Sequence, residues 1–407
     1  MNPNLQKLQA YPFERLSALK KHISPPSHLN HISLSIGEPK HPAPKFVKDV
    51  LANSIDEIER YPTTRGTLEL RNTICNWLTK RFNLTPYSVL PDKNVLPVCG
   101  TREAIFAFTQ SAINVKDCTD LPVVVAPNPF YQIYEGAALL AGAEPVYLNC
   151  DFEKNFSPDL INVSPEVWER CQLLQLCSPG NPTGAVMSLE AMEQAIHLAD
   201  KYDFIIASDE CYSEVYLDEQ NPPVGLLEAC RHIGRDDYSR CVVFHSLSKR
   251  SNLPGLRSGF IAGDASLIAG FLQYRTYHGS SMSLPVQKAS IAAWSDEDHT
   301  VKNRELYRQK FSAVTQILSD CMDFPEPNAS FYLWPKTPFN DIEFARELYA
   351  SQNVTLLPGQ FLSRPSDNCN PGQNRVRMAL VADTAECVEA ALRIKYFISS
   401  LEGQGDA

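Results

Sequence analysis

The 407-residue sequence has no run of about 18 apolar residues, so nothing in it reads as a membrane-spanning helix. It has no excess of positive charge either. Its 37 Lys and Arg against 47 Asp and Glu leave a formal net charge of −10, which argues against nucleic acid or an anionic membrane as its main partner. Any phosphate it binds must be held by a local pocket. The 12 cysteines form no CxxC pair and no Cys/His cluster with zinc spacing, so no metal site is expected. They are scattered singly, several inside apolar runs such as VLPVCG (95–100) and LLQLCSPG (173–180), and read as reduced, buried thiols of a cytosolic protein. The opening stretch MNPNLQKLQAYPFERL lacks a cationic segment followed by an apolar one, so no export signal is expected. Internal repeats and low-complexity tracts are missing too.

What is present is an ordinary globular composition, 44% hydrophobic and 21% charged, in a chain long enough for two domains. Residues 1–42 read as an arm ending in the proline-rich SLSIGEPKHPAP. Over 43–285, short apolar runs alternate with longer amphipathic stretches: VLPVC (95–99), LPVVVA (121–126), LLQLC (173–177), FIIAS (204–208), CVVFH (241–245) and GFIAG (259–263). Runs of this length, apolar at consecutive positions, predict strands covered on both faces, and the stretches between them predict helices. The expected fold is α/β, a large domain built on a mostly parallel sheet. Residues 286–407, with SFYLWP (330–335), FARELYA (344–350) and VRMALVA (376–382), are expected to form a smaller α+β domain to which the arm contributes.

Ligands of open α/β sheets bind beyond the carboxyl ends of the strands, and here those ends carry unusual polar residues. After VLPVC comes Gly100-Thr101-Arg102-Glu103, a glycine turn opening a helix, suited to a phosphate. Its plainer reading is a helix cap at Thr101. After LPVVVA comes PNPFYQIY (127–134), which offers Tyr131 as a flat face or, more plainly, as a core ring. SPGNPTG (178–184) surrounds Asn181 with three breakers, an elaborate device for a mere turn. Asp209 and Tyr212 follow FIIAS, and an acid there also suits a cap. SLSKRSNLPGLRSG (246–259) embeds Lys249 between Ser246, Ser248 and, eight positions on, Arg257, like a loop wrapped around an anion. Taken together, these pieces match the needs of pyridoxal phosphate. They offer a lysine for the aldehyde, a carboxylate to keep the pyridine nitrogen protonated, an aromatic platform, donors to the phenolic oxygen and a phosphate cradle.

The ordered set SPGNPTG, Asp209 with Tyr212, and SLSK with Arg257 resembles the class I/II, fold-type I pyridoxal-phosphate aminotransferases over nearly the whole chain. The resemblance implies that Lys249 is the Schiff-base lysine, Asp209 the partner of the pyridine nitrogen and Tyr131 the stacking ring. It makes Asn181 and Tyr212 ligands of the phenolic oxygen, with Thr101, Arg102, Ser246, Ser248 and Arg257 around the phosphate. Tyr61, in RYPTTRGTLELR, is similar to a tyrosine that reaches the phosphate of the neighbouring subunit, which implies a homodimer with shared active sites. Gly37 resembles a loop glycine whose backbone meets the substrate, and Arg377 the arginine that clamps the α-carboxylate. Arg375, two positions away, is expected to share its facing and to compete for that role.

Within that family, ISLSIGEPKHPAP, VLPVCGTREAIFAF and PNPFYQIYEGAALLAGAEPVYLN look most like bacterial succinyldiaminopimelate aminotransferases, enzymes of lysine and diaminopimelate synthesis. The loop SRPSDNCNPGQN (363–374) and the segment YPFERL (11–16) are candidate pocket walls. Aspartate, alanine or N-acetylornithine specificity keeps the same catalytic set, as does a lyase of this fold. A DNA-binding sensor of this fold needs a further domain, for which residues 1–40 are too few.

Overall fold

The computed structural model describes residues 1–116 and 120–405, the side chains through 401; the last two positions of the 286–407 segment lie outside the described residues. Seven strands form the central sheet: β1 (Val95–Val98), β2 (Val123–Asn128), β3 (Glu144–Asn149), β4 (Cys171–Cys177), β5 (Ile205–Asp209), β6 (Cys241–Ser246) and β7 (Gly259–Gly263). Their order is β1-β7-β6-β5-β4-β2-β3, and all pairings are parallel except the two that flank β7. The expected α/β fold with a mostly parallel sheet is therefore what forms.

The apolar runs are continuous because both faces of the sheet are covered. Val123, Val125, Leu174, Leu176 and Val243 pack into one core cluster, while their neighbours Val124, Ala126, Leu173, Val242 and Phe244 pack into another on the opposite face. β3 was not anticipated. It lies at the sheet edge, its residues are mostly half-exposed, and its sequence EPVYLN starts with an acid and a proline, so the buried-run signal is missing.

In the C-terminal part, the long helices Asp298–Leu318 and Thr384–Gly405 pack on each other and share a core cluster with a three-stranded antiparallel sheet. That sheet runs Leu357–Pro358, Val376–Ala379, Tyr332–Leu333. The N-terminal arm joins this region. Ile32–Ser33 pairs in parallel with Val354–Thr355, and the Ala379 amide donates to the Leu34 carbonyl at 2.7 Å. This pairing delivers Ile36, Gly37 and Glu38 to the carboxyl ends of the central strands, where the Gly37 carbonyl accepts a hydrogen bond from Lys249. Among the described residues, no helix is long and apolar enough to cross a membrane and no cluster of His, Cys, Asp or Glu could hold a metal ion. Cys171, Cys211 and Cys241 are buried free thiols.

Candidate active site

Five of the seven central strands, β1, β2, β4, β5 and β6, end by releasing polar groups into the same cavity, of about 570 Å³. Past β1 come Thr101 and Arg102, past β2 Tyr131, past β4 Asn181, at the end of β5 Asp209 and then Tyr212, and at the end of β6 Ser246 and then Ser248 and Lys249. Arg257 closes the ring from the turn before β7, and Gly37 and Arg377 face it from the arm and the small sheet. Twelve of the residues singled out from the sequence thus meet in one place. Tyr61 does not: it is 102% exposed and outside the cavity.

Lys249 sits in a single helical turn, Leu247–Arg250, in which the Ser248 amide donates to the Ser246 hydroxyl. Its Nζ donates to the Gly37 carbonyl at 2.6 Å. Burial, with help from the positive charge of Arg377 and Arg102 and against the pull of Cys211 and Glu38, lowers its pKa to about 8. An amine that is partly neutral near neutral pH is a competent nucleophile and base.

Asp209 is 5% exposed, and burial raises its pKa; hydrogen bonds from its surroundings work the other way. The Tyr134 hydroxyl donates to Oδ2 at 2.8 Å and the Cys211 amide donates to Oδ1 at 3.2 Å, fixing the carboxyl plane. Tyr134 was invisible in the sequence because a tyrosine inside an apolar helix reads as core, and its ring indeed packs there. Its ring meets Tyr131 edge to face at 5.8 Å, so one buried residue orients both the acid and the flat platform.

The phosphate-sized end is built at the start of the helix Thr101–Ala112. Gly100 is its N-cap, with φ +90, and a Cβ there would lie 2.1 Å from Arg257 Nη2. Only glycine lets the guanidinium approach the backbone so closely. The helix cap expected at Thr101 is not found: Thr101 is the first helical residue and its hydroxyl lies 3.0 Å from Cys211 Sγ. Arg257, Ser246, Ser248, Thr101 and the open helix start form a donor set of the kind a phosphate requires. Arg102 turns elsewhere in the cavity, donating to the Tyr131 hydroxyl at 2.5 Å and to the Tyr11 hydroxyl at 3.3 Å.

At the opposite end, Arg377 is 4% exposed and donates to Asn181 Oδ1 at 2.9 Å and to the Ser35 carbonyl at 2.7 Å. Because Oδ1 of Asn181 is engaged, its amide nitrogen is left to donate into the cavity. Nε of Arg377 is buried with no partner among the described residues, a donor waiting for an acceptor. Arg375 does not share its facing. It precedes the strand, bridges to Lys336, donates to the Trp334 carbonyl at 3.1 Å and covers Phe156, with its Cζ 4.8 Å from the ring centroid. The equal facing expected for residues two apart fails because the strand begins only at Val376.

The two candidate walls separate. Tyr11, Pro12 and Phe13 line the cavity, whereas the 363–374 loop docks behind it: Arg364 pairs with Glu135 at 2.6 Å and its backbone is held by Asn128. From that side only Leu362 reaches the cavity. Glu38, Gln132, Cys211 and Tyr332 also line it and were not singled out from the sequence.

The donor set fits pyridoxal phosphate. The fit rests on a cradle that a Cβ at residue 100 would fill, a buried acid across the cavity from a lysine of depressed pKa, and an orphaned guanidinium nitrogen at the far end. Comparisons with known proteins agree. A family model described as aminotransferase class I and II matches residues 30–394. The chain is 31% identical over 397 residues to LL-diaminopimelate aminotransferase of Nitratidesulfovibrio vulgaris, covering 96% of this chain and 97% of that protein. A crystal structure of an aminotransferase from Neisseria meningitidis Z2491 superimposes with a TM-score of 0.93 at 50% identity, over 98% of this chain and 100% of that one. Aminotransferase AspB from Helicobacter pylori 26695 gives 0.87 at 36% identity, over 96% and 99%.

Proposed function

The chain belongs to the class I and II aminotransferases, pyridoxal-phosphate-dependent enzymes, and from that premise we propose that it transfers an amino group within diaminopimelate and lysine synthesis. Its substrates are then N-succinyl-2-amino-6-oxopimelate and glutamate. When bound, pyridoxal phosphate supplies an aldehyde that captures amines reversibly and a ring that draws electrons from the substrate α-carbon. The chain's own groups do the rest. Lys249 would hold the cofactor through its amine and, as a free amine, would serve as the base for the proton of the substrate α-carbon. Asp209 keeps a proton on the ring nitrogen, since a buried negative charge beside it favours the cation. Asn181 and Tyr212 donate to the phenolic oxygen, while Thr101, Ser246, Ser248 and Arg257 grip the phosphate. Arg377 offers a planar fork to the α-carboxylate.

The observation that carries this reading is the meeting of Lys249, Asp209, Arg257 and Arg377 in one cavity, with the amine depressed to about 8. The reach toward a long acidic substrate rests on a second cation. Arg102, tethered to Tyr11 and Tyr131, adds a positive charge to the cavity besides Arg377, and Phe13, Ile36 and Leu362 give an apolar wall for a methylene chain. A second reading, unsuccinylated LL-diaminopimelate, is favoured by the name of the similar enzyme and by Glu38, an acid on the cavity wall suited to a distal ammonium.

A homodimer belongs to this proposal. Tyr61, wholly exposed and outside its own chain's cavity, is assigned to the phosphate of a second subunit. The test is a half-reaction screen. The cofactor-loaded protein is mixed with glutamate, succinyl-diaminopimelate, LL-diaminopimelate, aspartate, alanine and N-acetylornithine, and conversion to the pyridoxamine form is followed by absorbance. Fastest conversion by succinyl-diaminopimelate is expected. Preference for LL-diaminopimelate would install the second reading, and conversion by none would sink both.

A further inference from the structure

The small sheet carries Tyr332, which its apolar surroundings made look like a core position, yet it touches three site residues. Its hydroxyl lies 3.0 Å from the Tyr212 hydroxyl, and the Arg377 guanidinium carbon stands 4.5 Å from its ring centroid. A Cβ at Gly37 would fall 2.0 Å from its oxygen, so the phenol is pressed against the segment whose carbonyl receives Lys249. Tyr332 itself is 3% exposed and lines the cavity.

Two buried phenols share one hydrogen bond, and its direction matters. If Tyr212 donated to Tyr332, the Tyr332 proton would be left in a buried place with no acceptor among the described residues, and Tyr212 would have nothing to give the cavity. If Tyr332 donates, its proton is used and that of Tyr212 is freed to point inward. We propose that Tyr332 is a positioning residue of the transamination site: its hydroxyl donates to Tyr212 and commits the Tyr212 proton to the cavity, and its ring face seats the Arg377 guanidinium.

This rests on the reading that Tyr212 donates to the cofactor's phenolic oxygen and Arg377 holds the α-carboxylate. A donor that itself accepts a hydrogen bond is strengthened, by roughly 10–30% per bond. A stronger donor draws charge from the phenolic oxygen and makes the lysine-bound cofactor give up its proton at lower pH. The guanidinium over the ring is a cation–π contact in a desolvated place, where such contacts are strongest.

The experiment uses the cofactor-loaded protein and two readouts: the pH at which its visible absorbance titrates, and the KM for the amino donor. Tyr332→Phe removes only the hydroxyl. It should raise the spectroscopic pKa by about 0.3, less than Tyr212→Phe does, while leaving KM within about twofold. Tyr332→Leu and Tyr332→Met also remove the ring, and should in addition raise KM roughly fivefold or more. A spectroscopic pKa unmoved in Tyr332→Phe but moved in Tyr212→Phe would overturn the inference and spare the function. A pKa unmoved in Tyr212→Phe would overturn the role of Tyr212 and this inference with it. A wild-type protein with no visible chromophore would instead defeat the proposed function.

Discussion

The depressed pKa of Lys249 has a kinetic consequence that can be worked out in numbers. In the cofactor-free protein the amine titrates at about 8 rather than at 10.5, because burial and the nearby Arg377 and Arg102 disfavour the ammonium. The lowering from 10.5 corresponds to about 3 kcal/mol against the charged form. At pH 7 roughly one amine in ten is then neutral, against about 3 in 10,000 for an unperturbed lysine, so capture of an aldehyde is faster by about 300-fold. The folded state binds fewer protons here than the unfolded chain does. The penalty of holding the ammonium in the fold is therefore full below pH 8 and fades as pH rises toward 10.5. The assay mixes cofactor-free protein with limiting pyridoxal phosphate and records the rate at which visible absorbance appears between pH 7 and 10.5. The rate should climb and level off near pH 8. A rate that keeps climbing past pH 10 would show an ordinary lysine and refute the electrostatic reasoning.

Arg377→Lys replaces a two-pronged donor by a point charge and forfeits one charge-assisted hydrogen bond, worth about 1.5–3 kcal/mol, so kcat/KM should fall roughly 10- to 100-fold for every α-carboxylate donor; an unchanged KM would point the carboxylate elsewhere. Gly100→Ala sets a methyl 2.1 Å from Arg257 Nη2 at φ +90, so affinity for pyridoxal phosphate should drop at least about tenfold, and the backbone strain should also lower the cofactor-free melting temperature. Equal cofactor retention by this variant in equilibrium dialysis would contradict the cradle.

How far the sequence is legible depends on whether a residue's type announces its task. Six strands are readable because continuous apolar runs have one cause, burial on both faces, whereas edge strand β3 is mostly half-exposed and carries Pro145, so it hides. Lys249, Asp209 and Asn181 stand out as polar residues directly after such runs. Tyr134 and Tyr332 do not, since a buried phenol has an apolar body and only its hydroxyl partner reveals its use. Arg375 and Arg377 are indistinguishable by spacing, and only the start of the strand at Val376 separates them. The 363–374 loop carries turn formers that suit a pocket wall, but the Arg364–Glu135 pair draws it away, a long-range partnership that local composition does not encode.

Reduction of the cofactor-loaded protein with borohydride, followed by peptide mass mapping, tests the central claim most directly. One pyridoxyl group should be found per chain, on the peptide containing Lys249, with the absorbance of the native protein lost in step. A label on another lysine, or a colourless protein that takes up none, would contradict it.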